Sequence, residues 1–551
     1  MKNGIVLAFR LALFFFLIPD RSAGQQGTWL LGGGSEFNEK VVALTTDGAG
    51  NIYMVVNFSD TLVFGTDTLY PNGTTNFLVS RIDSSGNRDW IKRFGGFGDT
   101  WAHDIALDAS GDLYVVGEFL DSTILDTDTV YANYSITECG LMIKLDTLGN
   151  LIRHYETRGP GGEFLYAIAA GSNAMYFTGK YRDIGIVEVD TLWNYGVEDL
   201  WLIKVDTAGP KQWFAKAGSK RLDAGLDIAV SLDTLVTVCG YFQDTVIVTV
   251  DSVNTAISRG DRDILLIQYN SSGQYRWHLS GGGTGTDMAS GIAADSFGNV
   301  FVSGTFDSIL IIAGDTIQTV GDLDMFLMKV DMNGNVTWIQ TYGYSEYDGI
   351  TDVAVTPTGG AVVSGYFQDL IIIGDTLDSG DPTNQDAFLA SFDASGNPEW
   401  AIKASGATID GGESVAVDPN GNIAFGGYFN LDLTINQVTI SSSEPDDFFL
   451  ARVFSDGTVR REFHYFSESE KLKIFPNPAA GFVTIQSGGL SGNQTQMQIL
   501  DLQGRILYSE VVTSEQIRHG KNIILAEYTP GMYIVNLYDF NSHVSARLMI
   551  Y

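Results

Sequence analysis

Acidic side chains at a fixed spacing are the residues best suited to chemistry in this chain. Glu163, Asp223, Asp287, Asp348 and Asp410 each stand six residues before an alanine in a similar short apolar run. Asp99 falls one place off that register and Phe37 fills the corresponding place nearest the N-terminus. Brought together on one face, such carboxylates could hold a divalent cation, Ca2+ above all, or orient a sugar hydroxyl. Repetition is equally what a structural role requires, because aspartate satisfies the free amides of turns. A second set, Asp104, Asp227 and Asp352, occupies one matched position just before the same run, where Lys40, Ala167, Gly291 and Ser414 stand elsewhere. That unevenness is the kind an acid–base hydrolase or lyase needs.

Other chemistry is not legible. The histidines at 103, 154, 278, 464, 519 and 543 form no metal-binding spacing and share no position. No Gly-x-Ser-x-Gly elbow occurs, and the glycine-rich GGGTGTD at 281–287 is followed by no helix that could aim its dipole at a phosphate. Cys139 and Cys239 lie inside strand-like runs, as small buried thiols do, and their spacing matches no disulfide framework. The expectation is a protein without enzymatic activity and without a cofactor, Ca2+ being the one ion the carboxylates would suit.

The elements that must position these residues repeat. An aspartate, or its equivalent, opens a glycine turn at 83, 146, 206, 270, 331, 393 and 454, and aromatic residues closing an apolar run (Phe58, Phe119, Tyr181, Phe242, Phe306, Phe367, Phe429) keep the same period of about 62 residues. Each unit reads as short strands separated by turns such as DASGD and DPNGN, with an extra hairpin of the type LIIIGDTL that would lengthen each unit's own sheet. Tryptophan follows the turn aspartate by seven residues at Trp90, Trp213, Trp277, Trp338 and Trp400, whereas Arg153 and Arg461 replace it in the other two units. TWLLGGG at 28–34 matches this tryptophan strand without the hairpin that should precede it, so it is expected to complete the last unit. Seven four-stranded units that hide apolar faces against their neighbours suit a β-propeller.

The chain is acidic, 66 Asp and Glu against 32 Lys and Arg, a net charge of -34. Such a surface repels phosphate backbones and excludes nucleic acid as a partner. Residues 1–24 combine Lys2 and Arg10 with the apolar run 11–18 and the small residues SAG, the plan of a cleaved export signal, and no later stretch is long and apolar enough to span a bilayer.

Units such as WIQTYGYSEYDGITDVAVTPTGGAVVSGYF (338–367) resemble the seven-bladed SBBP repeats of secreted bacterial proteins, a family that carries no single activity. After Phe463 the period stops. Residues 464–471 read as a linker and 472–551 as a small antiparallel Ig-like sandwich, into which two prolines mark the entry. This piece resembles the type A C-terminal sorting domain of the type IX secretion system of Bacteroidetes, through Pro476-Asn477-Pro478, Asp501 with Gly504 and Arg505, and Gly531 with Tyr533. The resemblance implies delivery by the outer-membrane translocon, processing by a sortase-like peptidase, and a secreted or surface location. The sequence therefore reads as all-β: residues 1–24 an export signal, 25–463 a seven-bladed β-propeller, and a C-terminal sandwich. Its expected function is binding or adhesion to a glycan or protein outside the cell. The alternative is a hydrolase or lyase that acts on extracellular polysaccharide from the propeller channel.

Overall fold

The computed structural model describes residues 29–459 apart from 35–38, 66, 127, 133–136, 189, 208–210, 233, 250–253, 382, 437 and 442–446; beyond these it describes 473–475, 479, 482–487, 494–500, 505–513, 516–517, 520–525, 528–538 and 543–550. The proposed export signal, the linker, Pro476, Asn477, Pro478, Asp501 and Gly504 lie outside the described residues.

Among the described residues every element is a strand. The repeat region forms seven antiparallel sheets, six of them built on four strands in chain order, as in Met288–Ala294, Val300–Ile312, Asp315–Val330 and Val336–Tyr342, and the seventh on three such strands and one from the N-terminal end. The first strands of the seven are Lys40–Thr46, Thr100–Leu107, Glu163–Ala170, Ala224–Ser231, Met288–Ala294, Gly349–Val355 and Gly411–Val417. Each lies against the first strands of the preceding and following sheets, and the last of them lies against Lys40–Thr46. Second and third strands such as Leu113–Phe119 and Asp447–Val453 are buried at every residue. They are covered on both faces, so their sequences are nearly continuous apolar runs rather than alternating ones.

Three recurring contacts join neighbouring sheets. The tryptophan of each fourth strand reaches the glycine turn of the next sheet. Trp90, Trp213, Trp277, Trp338 and Trp400 donate from Nε1 to Thr147, Ser271, Met332, Ala394 and Ser455 carbonyls at 2.9–3.3 Å. Arg153 performs the same service by donating to the Thr207 carbonyl at 3.1 Å, which is why an arginine is accepted there. The turn glycine lies flat against the indole and adopts positive φ, so no side chain fits. At Gly334 (φ 89°) a methyl group would come within 2.8 Å of the Trp277 ring. Gly334→Ala is therefore expected to destabilise the chain by about 2 kcal/mol from backbone strain and from displacement of the indole. Denaturant unfolding measures it, and an unchanged midpoint would contradict this packing.

The second contact corrects an expectation in part. In the third and fifth sheets the extra hairpin does lengthen its own sheet, as the continuation of Ala174–Val187 with Asp190–Asp206 and of Val300–Ile312 with Asp315–Val330. In the other units it is set off from its own sheet, and hairpins of both kinds also pack on the outer edge of the preceding sheet. Gly34, Gly218 and Gly282, each just past a fourth strand, form backbone bridges to Val63, Ile247 and Ile311 of the following unit's hairpin. In the sixth sheet Ala404 pairs with Ile435 in regular ladder register. The hairpin thus covers an outer edge that would otherwise offer free backbone groups.

The third contact involves the N-terminal strand. Trp29–Gly33 pairs antiparallel with Asp447–Val453, Trp29 opposite Arg452, and supplies the fourth strand of the seventh sheet. Trp29 is 2% exposed and covers Gly86 of the first sheet, as the other tryptophans cover their turn glycines. It fills the place for which the seventh unit's own candidate was Arg461, a residue outside the described ones.

In the tail, Lys473–Phe475, Phe482–Gln486 and Lys521–Ile524 form one sheet, and Ile506–Thr513, Gln494–Leu500, Gly531–Tyr538 and His543–Ile550 a second. Residues of both, Val483, Ile485, Met497, Val535 and Leu548 among them, share one core. Tyr533 is buried and donates from its hydroxyl to the Thr529 carbonyl at 2.6 Å, while Arg505 is exposed.

Candidate functional site

The five repeated carboxylates are fully buried, and four of them hold loops of their own sheet together. Asp223 accepts from the amides of Ser219 (2.6 Å) and Gln243 (3.2 Å), and Asp287 from Gly283 (2.7 Å) and Asp307 (3.1 Å). Asp348 accepts from Tyr344 (3.0 Å) and Gln368 (3.2 Å), and Asp410 from Gly406 (2.5 Å) and Asn430 (3.2 Å). Each therefore clamps the loop entering the first strand to the end of the second strand, the turn-satisfying role of aspartate. Counted back from the residue that follows the bulge, the equivalent places in the first two sheets belong to Glu39 and Thr100, not to Phe37 and Asp99. Phe37 lies outside the described residues. The charges bearing on Asp287, Asp348 and Asp410 are those of nearby acidic groups such as Asp263, Asp324 and Asp386, never another of the five. Among the described residues, no three His, Cys, Asp or Glu side chains are placed to hold a metal ion.

Burial pushes these carboxyls up, to about 7 for Glu163, Asp223, Asp287 and Asp348 and about 8 for Asp410, against the pull of the amides. A carboxyl held above its ordinary value binds its proton more tightly in the folded chain than in the unfolded one. The stability it contributes is present in acid and is lost as pH rises from the ordinary value of 3.8 toward about 7. Thermal unfolding is expected to show a midpoint several degrees higher at pH 5 than at pH 8, and Asp348→Asn should flatten the difference. A midpoint that rises with pH would overturn this reading.

Asp104, Asp227 and Asp352 do come together electrostatically. All seven first strands carry a bulge, and the residue after it is Ala43, Asp104, Ala167, Asp227, Gly291, Asp352 or Ser414. Ala43, not Lys40, is thus the counterpart in the first sheet. A bulge re-aims its side chain, and here the aspartates reach across sheets. Each accepts its own following amide at 2.7 Å and, with the other oxygen, an amide of the next sheet: Ile168 (2.7 Å), Ile292 (2.7 Å) and Val415 (2.8 Å). Ser414 donates to Asp352 at 2.9 Å and accepts from the Leu44 amide at 3.1 Å, which carries the same link from the seventh sheet to the first. Burial and the mutual repulsion of the three carboxylates raise Asp104 to about 7 and Asp227 well above the usual range, while burial raises Asp352 to about 6. With both oxygens occupied, these groups are staples between sheets. The reading of their unevenness as a sign of acid–base catalysis is corrected accordingly.

Unevenness of a different sort appears where the first strands begin. In the second sheet His103, the bulged residue, places Nε2 2.5 Å from Glu118 Oε2, and Trp101 pairs with Glu118 across the ladder. In the third sheet Tyr166 packs edge-on to His103 at 5.2 Å, and Lys180 lies 5.1 Å from the Phe164 ring. Glu198 is held by Lys180 (3.0 Å) and Arg182 (2.7 Å), whose charges keep its carboxyl below the usual range despite burial. In the fourth sheet Arg262 stacks over Tyr241 at 4.5 Å. Tyr166 stands in the field of Glu118, Glu198, Arg182 and Tyr241, and burial raises its hydroxyl far above the phenolic range. Of this group the sequence reading had singled out only His103. A signal was available: the bulged residue and the one two places before it are His103 and Trp101 in the second sheet and Tyr166 and Phe164 in the third, but Leu226 and Ala224 in the fourth and Ser290 and Met288 in the fifth.

Comparison with known proteins gives the tail a firm identity. Residues 473–551 match the family described as secretion system C-terminal sorting domain. Over 300 residues (43% of this chain, 21% of the relative) the chain is 24% identical to an uncharacterized WD repeat-containing protein of Acanthamoeba polyphaga mimivirus. Over 175 residues (31% and 18%) it is 27% identical to the regulatory protein FlaEY of Caulobacter vibrioides. The matched segments span about a fifth of the length of these curated relatives. A solved structure of a Synechocystis ACO mutant is similar at a TM-score of 0.33 and 11% identity, covering 67% of this chain and 87% of that one. No described helix is long and apolar enough to cross a membrane. The sorting tail makes this a secreted or cell-surface protein addressed to the type IX secretion machinery.

Proposed function

We propose that the seven sheets are the blades of a β-propeller, that the type IX machinery carries it out of the cell, and that it serves there as a non-catalytic module binding a glycan or protein. The single observation that carries the binding reading is the uneven group of aromatic and charged side chains on the second to fourth sheets, at one end of an otherwise regular repeat. The ring of first-strand neighbours, the strand lent by Trp29–Gly33, and the repeat-protein relative support the propeller. Propeller blades expose loops at two ends, and a binding site belongs where those loops depart from the repeat. Here the opposite end is occupied by tight aspartate–glycine turns bonded to themselves, such as Asp331 with Asn333 and Asn335. After export, a sortase-like peptidase removes the tail, and the product stays attached to the surface or is released.

A glycan and protein-ligand array probed with the full chain tests this reading. Ligands bound by the wild type and lost on Trp101→Ala are expected; a chain that binds nothing on such an array would remove it. The second reading, a polysaccharide hydrolase or lyase, is favoured by the His103–Glu118 pair beside Tyr166. Reducing-end and ultraviolet assays on the same glycans distinguish it from binding. Fusing residues 466–551 to a reporter tests the export route: the reporter should appear outside a host with the type IX system and stay in the periplasm of a host lacking it.

A further inference from the structure

The chain carries more than two acidic groups for each basic one, yet Lys180, Arg182, Lys220, Arg221, Arg259 and Arg262 crowd the same end of two neighbouring sheets. Lys180 and Arg182 are neutralised by Glu198, and Arg259 approaches Asp263 at 4.0 Å. Arg262 is different. It is half-buried, among the described residues it forms no ion pair, its Nε is buried without a hydrogen bond, and its terminal nitrogen makes a long contact of 3.6 Å to the Met288 sulfur. A half-buried guanidinium without a carboxylate partner favours an anion that reaches its terminal nitrogens. Its guanidinium carbon lies 4.5 Å from the centre of the Tyr241 ring, a cation–π contact that leaves the charge without a counter-ion. Half-buried Tyr166 on the third sheet and Trp101, 37% exposed, on the second present aromatic surface near the start of their first strands.

Resting on the binding reading above, we propose that this end of the second to fourth sheets takes an acidic saccharide, a uronate chain, whose carboxylate pairs with Arg262 while a sugar ring lies on Trp101. Arg262 matches the planar carboxylate bidentately, a geometry no lysine reproduces. Aromatic faces serve the C–H side of a pyranose, and His103, oriented by Glu118, supplies a polar atom for a hydroxyl. A phosphopeptide would use the guanidinium equally well but would leave the Trp101 surface unused, so the saccharide accounts for more of the site.

The test is calorimetric titration of the full chain with oligogalacturonate and, in parallel, with a neutral cello-oligosaccharide of equal length. Oligogalacturonate is expected to bind, more weakly as salt is raised, and the neutral oligomer not to bind. Arg262→Gln should lower affinity by roughly tenfold or more, the scale of a lost charge-assisted contact, without moving the thermal midpoint downward. Arg262→Lys should fail to restore it. Trp101→Ala should weaken binding with no change in its salt dependence. Equal binding of the neutral oligomer, or an Arg262→Gln variant with wild-type affinity, overturns acid recognition while leaving a binding function intact. Absence of binding to either oligomer also overturns it, and the array then decides the broader reading on its own.

Discussion

Deleting residues 25–34 is expected to lower the thermal midpoint by ~10 °C or more and to convert one cooperative unfolding transition into a broader one. The seventh sheet would keep three strands, and the backbone groups of Asp447–Val453 that now pair with residues 29–33 would face solvent. Trp29 and Leu31, now 2% and 6% exposed, would be removed from the core that also contains Phe448 and Leu450. Loss of one buried tryptophan alone costs about 3–5 kcal/mol, and loss of the strand adds the ladder to that. The effect should be far larger than truncation of a terminus that merely trails along a surface. Trp29→Ala separates the two contributions: it should account for part of the loss while retaining the pairing. A deletion variant that melts like the wild type would mean that the seventh sheet does not depend on a strand from the other end of the chain. Calorimetry on both variants checks the expectation directly.

Arg452→Met is expected to cost about 3–5 kcal/mol, the scale for breaking a buried ion pair by removing one partner. Arg452 is 1% exposed and meets the equally buried Asp418 at 3.0 Å within the seventh sheet. Its other terminal nitrogen crosses to the first sheet, donating to the carbonyls of Gly50 (3.1 Å) and Ser84 (2.8 Å), both in glycine turns. One side chain thus satisfies a carboxylate and two carbonyls at the seam where the two ends of the repeat region meet. Lys144 does similar work between the second and third sheets, bonding Asp108 and the Thr207 carbonyl. Replacing Arg452 leaves the buried Asp418 charge to the Asn420 and Asn422 amides (2.8 and 2.9 Å) and Asn422 Nδ2 (2.8 Å), and much of the penalty is that uncompensated charge rather than the lost attraction. The double variant Arg452→Met, Asp418→Asn, which removes the charge and keeps a side-chain oxygen for the turn amides, should therefore recover part of the loss. Chemical denaturation of the two variants checks this. A single variant as stable as the wild type, or a double variant worse than the single one, would contradict the assigned role.

Much of the architecture was legible because repetition multiplies weak local signals. One Asp-x-x-Gly turn says little; seven at nearly constant spacing fix the number of units, and the tryptophan seven residues on marks the outer strand. The orphan WLLGG was assigned to the last unit because it has the outer-strand pattern without its hairpin. The extra hairpin lengthens its own sheet only in the third and fifth units, and its contact with the preceding sheet was not foreseen, since its sequence shows that two short strands turn back on each other and nothing about which edge they cover. The first-sheet counterpart of the stapling aspartates was likewise misplaced. Counting residues from an alanine cannot see the bulge or the loop before it, whereas the backbone register shows Ala43 there.

The candidate site divides the same way. The acidic repeat was visible, and so was the possibility that it only closes turns. Its members could not be told from ligands until the amides around them were located. Arg262, Tyr241 and Tyr166 escaped notice because they stand on different strands of two sheets, far apart in sequence, with no spacing to link them. By itself the sequence determined the export address, the all-strand character, the period and the count of units, because these depend on local turn chemistry and on hydrophobic pattern. Only tertiary structure decided which carboxylates are staples and that Arg262, half-buried against Tyr241, has no carboxylate partner among the described residues. Both depend on the groups that neighbouring sheets bring within a few ångströms, where burial strengthens every charge and punishes every missing partner.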